Sequence, residues 1–169
     1  MKKKAGFIFG VLMSIILILI LCYCGAIALF GILLGSHNDR VPRSVIYDYV
    51  NENHELLEAL AHEDIPTERE AKRDFINDYL GSDTIVKSAY PYNDRIVEFS
   101  CGSSGLSVGS TYTGFYYSRD DTPFALMFDG KELKEIEPGI FVWRNENGTH
   151  EIRTERIRKN WFFYDIVYN

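Results

Sequence analysis

Three hydrophobic rhythms follow one another along the chain. Residues Ala5 to Gly35 form one apolar run behind Met1-Lys2-Lys3-Lys4, and every Asp and Glu lies after it. About 20 apolar residues suffice to cross a hydrocarbon core of about 30 Å, so the run predicts one transmembrane helix over 5–35, its surplus length taken up by tilt. A polar juncture, 36–42, follows. Val45, Ile46, Tyr49, Val50, Leu56, Leu57 and Leu60 then recur at helical spacing. They share one face of a helix over about 43–64, with Pro42 suited to its first turn. A second helix, over about 67–80, begins at Thr67, which with Glu70 makes a capping box, and stops before Gly81. Its apolar stripe is Ala71, Phe75, Ile76, Tyr79 and Leu80.

Beyond Gly81 the rhythm shortens, and β-branched and aromatic residues alternate between turn dipeptides. Strands are predicted at Thr84–Ala89, Arg95–Cys101, Ser110–Ser118, Phe124–Phe128, Glu132–Glu137, Ile140–Arg144, Thr149–Arg158 and Trp161–Tyr168. Asp129-Gly130 and Asn147-Gly148 are tight-hairpin signals, and Pro138-Gly139 fits a type II turn. Connections this short exclude parallel crossovers. The expected fold is α+β: an N-terminal transmembrane helix, then two helices packed on a curved, mainly antiparallel meander sheet over about 84–168.

The apolar run decides location. A cleavable secretory signal shares the lysine-rich start, but its apolar region is usually about 7 to 15 residues and ends at a small-x-small site. Here the only A-x-A, Ala26-Ile27-Ala28, lies deep inside the run, so an uncut anchor is expected. Lys2, Lys3 and Lys4 outweigh Arg40 and Arg43, which are diluted by Asp39 and Asp48. Residues 1–4 are therefore assigned to the cytoplasm and 43–169 to the outside of a cell membrane, with the lipid bilayer itself the partner of 5–35. Gly6 and Gly10, and Gly31 and Gly35, sit at small-xxx-small spacing, which makes Gly31 and Gly35 the candidate contact for self-association.

Charge narrows the partners of the exterior part. Removing the three lysines of the flank from 18 basic residues leaves 15 against 24 acidic ones, a formal charge of minus nine. Such a domain repels nucleic acid. Its length suits one domain with its own core, and it holds only Cys101, so no disulfide forms within it.

Several local patterns imitate catalytic or metal sites. Gly105-Leu106-Ser107-Val108-Gly109 has the form of a nucleophile elbow, but that device needs a helix after the serine and a parallel sheet below it. Strand-like sequence follows instead. Cys101 and His150 could pair as nucleophile and base, although a lone cysteine near a strand end is ordinarily a small apolar side chain. His54, Glu58 and His62 stack along one helix edge, yet the two imidazoles stand about 12 Å apart along the axis and cannot hold one ion together. Asp120-Asp121 lacks a regular calcium loop. Asn147-Gly148-Thr149 is a formal glycosylation acceptor. No metal, cofactor or catalytic residue is assigned.

Aromatic runs, Phe115-Tyr116-Tyr117 and Trp161-Phe162-Phe163-Tyr164, invite a recognition reading. Neighbours on a strand point to opposite faces, so such runs describe central strands with apolar contact on both sides. Core packing is the favoured role; Tyr112, Tyr116, Tyr117, Trp143 and Trp161 are the candidate recognition aromatics. The stretch Gly114-Phe115-Tyr116-Tyr117-Ser118 with Asp120-Asp121 and Pro123, together with Trp161-Phe162-Phe163-Tyr164, resembles a group of small, single-span, uncharacterised bacterial membrane proteins. That resemblance implies an extracytoplasmic β-rich domain and carries over no catalytic residue.

Two functional readings follow. The favoured one is a membrane-anchored, non-catalytic binding or accessory module, concentrated by its tether near a protein partner in the same membrane. The alternative is a membrane-tethered hydrolase whose residues, drawn from Cys101, His150, Asp120 and Asp121, converge only in three dimensions.

Overall fold

The computed structural model describes residues 39–105, 109–128 and 130–169. The expected transmembrane helix, with Gly6, Gly10, Gly31 and Gly35, lies outside these residues. So does Ser107 of the elbow-like motif. No helix among the described residues is long and apolar enough to cross a membrane.

Two helices, α1 (Arg43–Ala61) and α2 (Arg69–Leu80), precede seven strands. These are β1 (Ser88–Pro91), β2 (Ile96–Ser104), β3 (Ser110–Ser118), β4 (Lys134–Glu137), β5 (Ile140–Arg144), β6 (His150–Arg158) and β7 (Trp161–Tyr168). All pair antiparallel in one sheet, in the order β1-β2-β3-β7-β6-β5-β4. The fold is thus α+β, but the sheet is not a single meander. Two meanders, β1 to β3 and β4 to β7, meet where β7 pairs with β3. After β3 the chain travels to the far edge of the sheet before working back.

That journey overturns one expected strand. Phe124–Phe128 is an irregular segment in which Met127 has φ 63°, a left-handed backbone that no strand tolerates. Ala125 and Leu126 are buried instead against Tyr116, Ile152, Phe162, Tyr164 and Ile166. The segment is a cover laid across the sheet, not part of it. On the opposite face the helices provide the cover: Ile46, Val50, Leu57 and Leu60 of α1, with Ile76 of α2, pack on Val97, Phe99, Phe115, Tyr117, Trp161 and Phe163.

Alternation along β3 fastens both covers. The Tyr117 hydroxyl donates to Glu58 Oε1 of α1 at 3.1 Å. Its neighbour Tyr116 points the other way, where its hydroxyl accepts the Phe124 N–H at 2.8 Å and bonds Thr154 Oγ1 at 2.9 Å. Each face also carries a directly paired aromatic stack. Phe99 and Phe115 lie 5.0 Å apart beneath the helices, and Tyr116 and Phe162 lie 5.2 Å apart beneath the connection.

Other expectations shift by a few residues. α2 begins at Arg69, within the proposed capping box, with Glu68 and not Thr67 at the N-cap and no side-chain cap bond. Ile65 is sunk in the core ahead of Pro66, which disfavours a helical backbone at Ile65, and Glu68 is extended. Its inner face carries Lys72 and not Ala71, which is exposed. The Lys72 ammonium sits 3.6 Å from the centroid of the Tyr90 ring. Val45 and Leu56 of α1 are likewise exposed, so its buried stripe is narrower than the pattern suggested. The Asn147-Gly148 turn is wider than a two-residue hairpin, spanning 145–149 and closed by Asn145 N–H to His150 O.

Candidate functional site

The connection after β3 covers only part of its face. At the β1–β2–β3 end it leaves a cavity of about 510 Å³. Strand alternation decides what lines it. Ser88 and Tyr90 of β1 stand opposite Ser100 and Glu98 of β2, and Tyr112 comes from β3. Pro91, Tyr92 and Met127 complete the wall. Met127 is held at the mouth by its backbone N–H, donating to the Tyr92 hydroxyl at 2.9 Å, and by its sulfur, which accepts the Tyr168 hydroxyl at 3.4 Å.

One carboxylate lies at the cavity floor. Glu98 is 6% exposed, and its Oε1 accepts the Tyr164 hydroxyl at 2.6 Å. Tyr164 belongs to β7, two strands away, and must reach across β3 to do so. It passes over Gly114, with which it pairs. A Cβ at position 114 would stand 2.9 Å from the Tyr164 hydroxyl and 2.2 Å from the Phe99 carbonyl oxygen, so only glycine leaves the path open. Burial pushes the Glu98 carboxyl above its ordinary value, against the lowering effect of the Tyr164 hydrogen bond. Burial likewise pushes the Tyr164 phenol far up, helped by the charge of Glu98 and the bond to it.

The candidate recognition aromatics are dispersed. Tyr112 lines the cavity, 36% exposed. Tyr116, Tyr117 and Trp161 are core residues. Trp143 is half-buried and packs on Phe128 with ring centroids 4.5 Å apart. Glu98, Tyr90, Tyr92 and Met127 were not singled out by sequence. A glutamate set between Val97 and Phe99, in the apolar first half of a strand, was the available signal.

The groups considered for hydrolysis have separate surroundings. Cys101 is fully buried in the cluster beneath the helices, where burial pushes its thiol up. His150 meets Tyr168 and Phe128 edge-on beside the other cluster, and its Nδ1 faces Asn145 and Thr149. Asp120 pairs with Arg95 at 3.0 Å, whereas Asp121 holds Arg156 and the Asn160 N–H. Gly105 and Gly109 are followed by β3, not by the helix that an elbow requires. Along the first helix Glu58 serves Tyr117, His62 Nδ1 faces Arg119 at 3.3 Å, and His54 Nδ1 lies 3.0 Å from Asn51 O. Among the described residues no group of three His, Cys, Asp or Glu could hold a metal.

No family model matches the chain, and neither the curated proteins nor the solved structures contain a match to it. The site therefore has to be read from its own chemistry.

Proposed function

We propose that the protein is a single-span, membrane-anchored binding module whose domain works outside the cytoplasm and takes a small ligand in the cavity between β1, β2, β3 and Met127. The cavity carries this reading. Its volume lies within the range of about 300–1,000 Å³ usual for small-molecule sites, and Glu98, Ser88 and Ser100 share the lining with three tyrosines, Pro91 and Met127. The apolar run 5–35 behind three lysines supports the anchor and its orientation. The acidic character of the remainder supports a ligand or partner other than nucleic acid. Self-association through Gly31 and Gly35 belongs to the same proposal as a property of the anchor.

Benzoylphenylalanine placed at Tyr112 in the full-length protein, in its own membranes, tests the reading. Placement at Leu56, exposed on the back of α1, is the control. A defined adduct formed at position 112 and absent at position 56 is the expected result. Equal labelling of the two positions, or none at either, would remove the cavity as the binding site.

A further inference from the structure

Two other acids of the domain, the buried Glu155 and the half-buried Asp165, are met by arginines. Glu155, 2% exposed, is held by Arg43 and Arg153, and Asp165 by Arg40 at 2.6 Å. Glu98 is nearly as buried as Glu155, yet no ion pair reaches it among the described residues. A desolvated carboxylate without a cation is unfavourable, and this one faces a cavity instead of packed protein. Three of the residues lining the cavity with Glu98 are tyrosines, and tyrosine ring faces attract positive charge. Tyr90 at this edge already carries the ammonium of Lys72. Among the described residues no group of three His, Cys, Asp or Glu that could hold a metal ion includes Glu98.

We infer that the cavity recognises a small organic ammonium ion, its charge set against the Glu98 carboxylate and the tyrosine faces of the rim, Tyr112 foremost. The inference rests on the cavity being a ligand site, and it names the chemistry of the ligand. A neutral ligand leaves the carboxylate unpaired, and an anion is repelled by it. Tyr164, reaching over Gly114, fixes Glu98 Oε1 and so orients the carboxylate before any ligand arrives. In this arrangement Tyr164 is a positioning residue.

The chain contains Met1, Met13 and Met127, so methyl-¹³C-methionine labelling of the full-length protein in detergent micelles places one reporter at the cavity mouth. The probes are tetramethylammonium and tert-butyl alcohol, a neutral molecule of similar size. Tetramethylammonium is expected to move the Met127 methyl resonance saturably, and the alcohol to need about tenfold more or greater to do the same, as suits one charged contact. Glu98→Gln raises the tetramethylammonium Kd by about tenfold or more. Tyr112→Ala raises it severalfold, and because that side chain lies on the rim it carries the comparison if the Glu98 variant does not fold. Equal response to both probes, or unchanged affinity in the variants, overturns ammonium recognition while leaving a cavity that binds neutral ligands. No Met127 response to either probe overturns the ammonium inference and the ligand-site reading together.

Discussion

The two faces of the sheet are both covered from within the chain, but one is covered by helices and the other by an irregular connection. Beneath the helices lies a closed apolar cluster from Ile46 to Trp161. A helix satisfies its own backbone, so it asks nothing of the sheet's side chains for its N–H groups, and the charged residues buried on that side, Lys72 and Glu155, are met by a tyrosine ring and by Arg43 of α1. The connection after β3 has no such economy. Two of its N–H groups go to tyrosine hydroxyls, Phe124 to Tyr116 and Met127 to Tyr92, and its start is pinned by Asp121 to Asn160 and Arg156. A cover that needs polar side chains beneath it leaves polar side chains buried, and where it stops short it leaves the cavity over Glu98. The difference teaches that the binding surface follows from the material used to close the second face.

Substitutions can break this comparison in graded steps. Phe99→Ala under the helices should be the most damaging, at about 3–5 kcal/mol of unfolding free energy, because the cluster there is closed on every side. Leu126→Ala under the connection removes a fully buried side chain too, but an irregular cover can settle, so about 2–3 kcal/mol is expected. Urea unfolding of both variants checks the order; a larger loss at Leu126 would mean that the connection is the more rigid cover. Gly114→Ala should cost about 1–3 kcal/mol by overpacking and displace the Tyr164 hydroxyl from Glu98. It is distinguished from a cavity variant by a tyrosine environment that changes while the fold remains.

The acid at the cavity floor gives a smaller, pH-dependent effect. Tyr164 donates to Glu98, Tyr90 and Tyr112 line the same cavity, and among the described residues no ion pair offsets its burial. Its carboxyl is raised above 4.5 in the folded state, so folding favours the protonated form. Its contribution is fully present below about pH 4.5 and is lost as pH rises through the higher folded value. Glu98→Gln should therefore unfold at a higher urea concentration than the native protein near neutral pH, with the gap closing in acid. An unchanged gap across that range would mean that the carboxyl is not desolvated. The least perturbing test compares thiols on the two faces. Tyr112→Cys should react with a membrane-impermeant maleimide on intact cells with stability changed by less than about 0.5 kcal/mol, while Cys101 under the helices stays unlabelled. Labelling of Cys101 first would reverse the assignment of closed and open faces.

Much of this fold was legible from periodicity. The two helices and most strands follow from spacing and turn residues, since β5 and β7 occupy the predicted spans and Pro138-Gly139 turns with a left-handed glycine. Phe124–Phe128 misled because a short apolar run bounded by turn signals has the composition of a strand whether it pairs with one or lies across several. The strand order was hidden for a related reason: nothing local in β7 states that its partner is β3 as well as β6. The site was harder still. Tyr112 could be named as an aromatic on a strand, but the meaning of Glu98 depends on which arginines fail to reach it, and that is a property of the assembled sheet.

The position of β7 also bears on how the domain comes to exist. Trp161–Tyr168 is last of the strands in chain order yet stands in the middle of the sheet, bridging β3 and β6. Until it emerges during synthesis, β1 to β3 and β4 to β6 are two unconnected fragments, each with an open edge able to capture a strand from another chain. The first half must wait through the making of some forty residues before its central neighbour arrives, a non-local closure of the kind that slows folding. A ribosome stalled just before Trp161 would therefore display a chain with both helices made, no finished sheet, and sensitivity to protease along its whole exposed length.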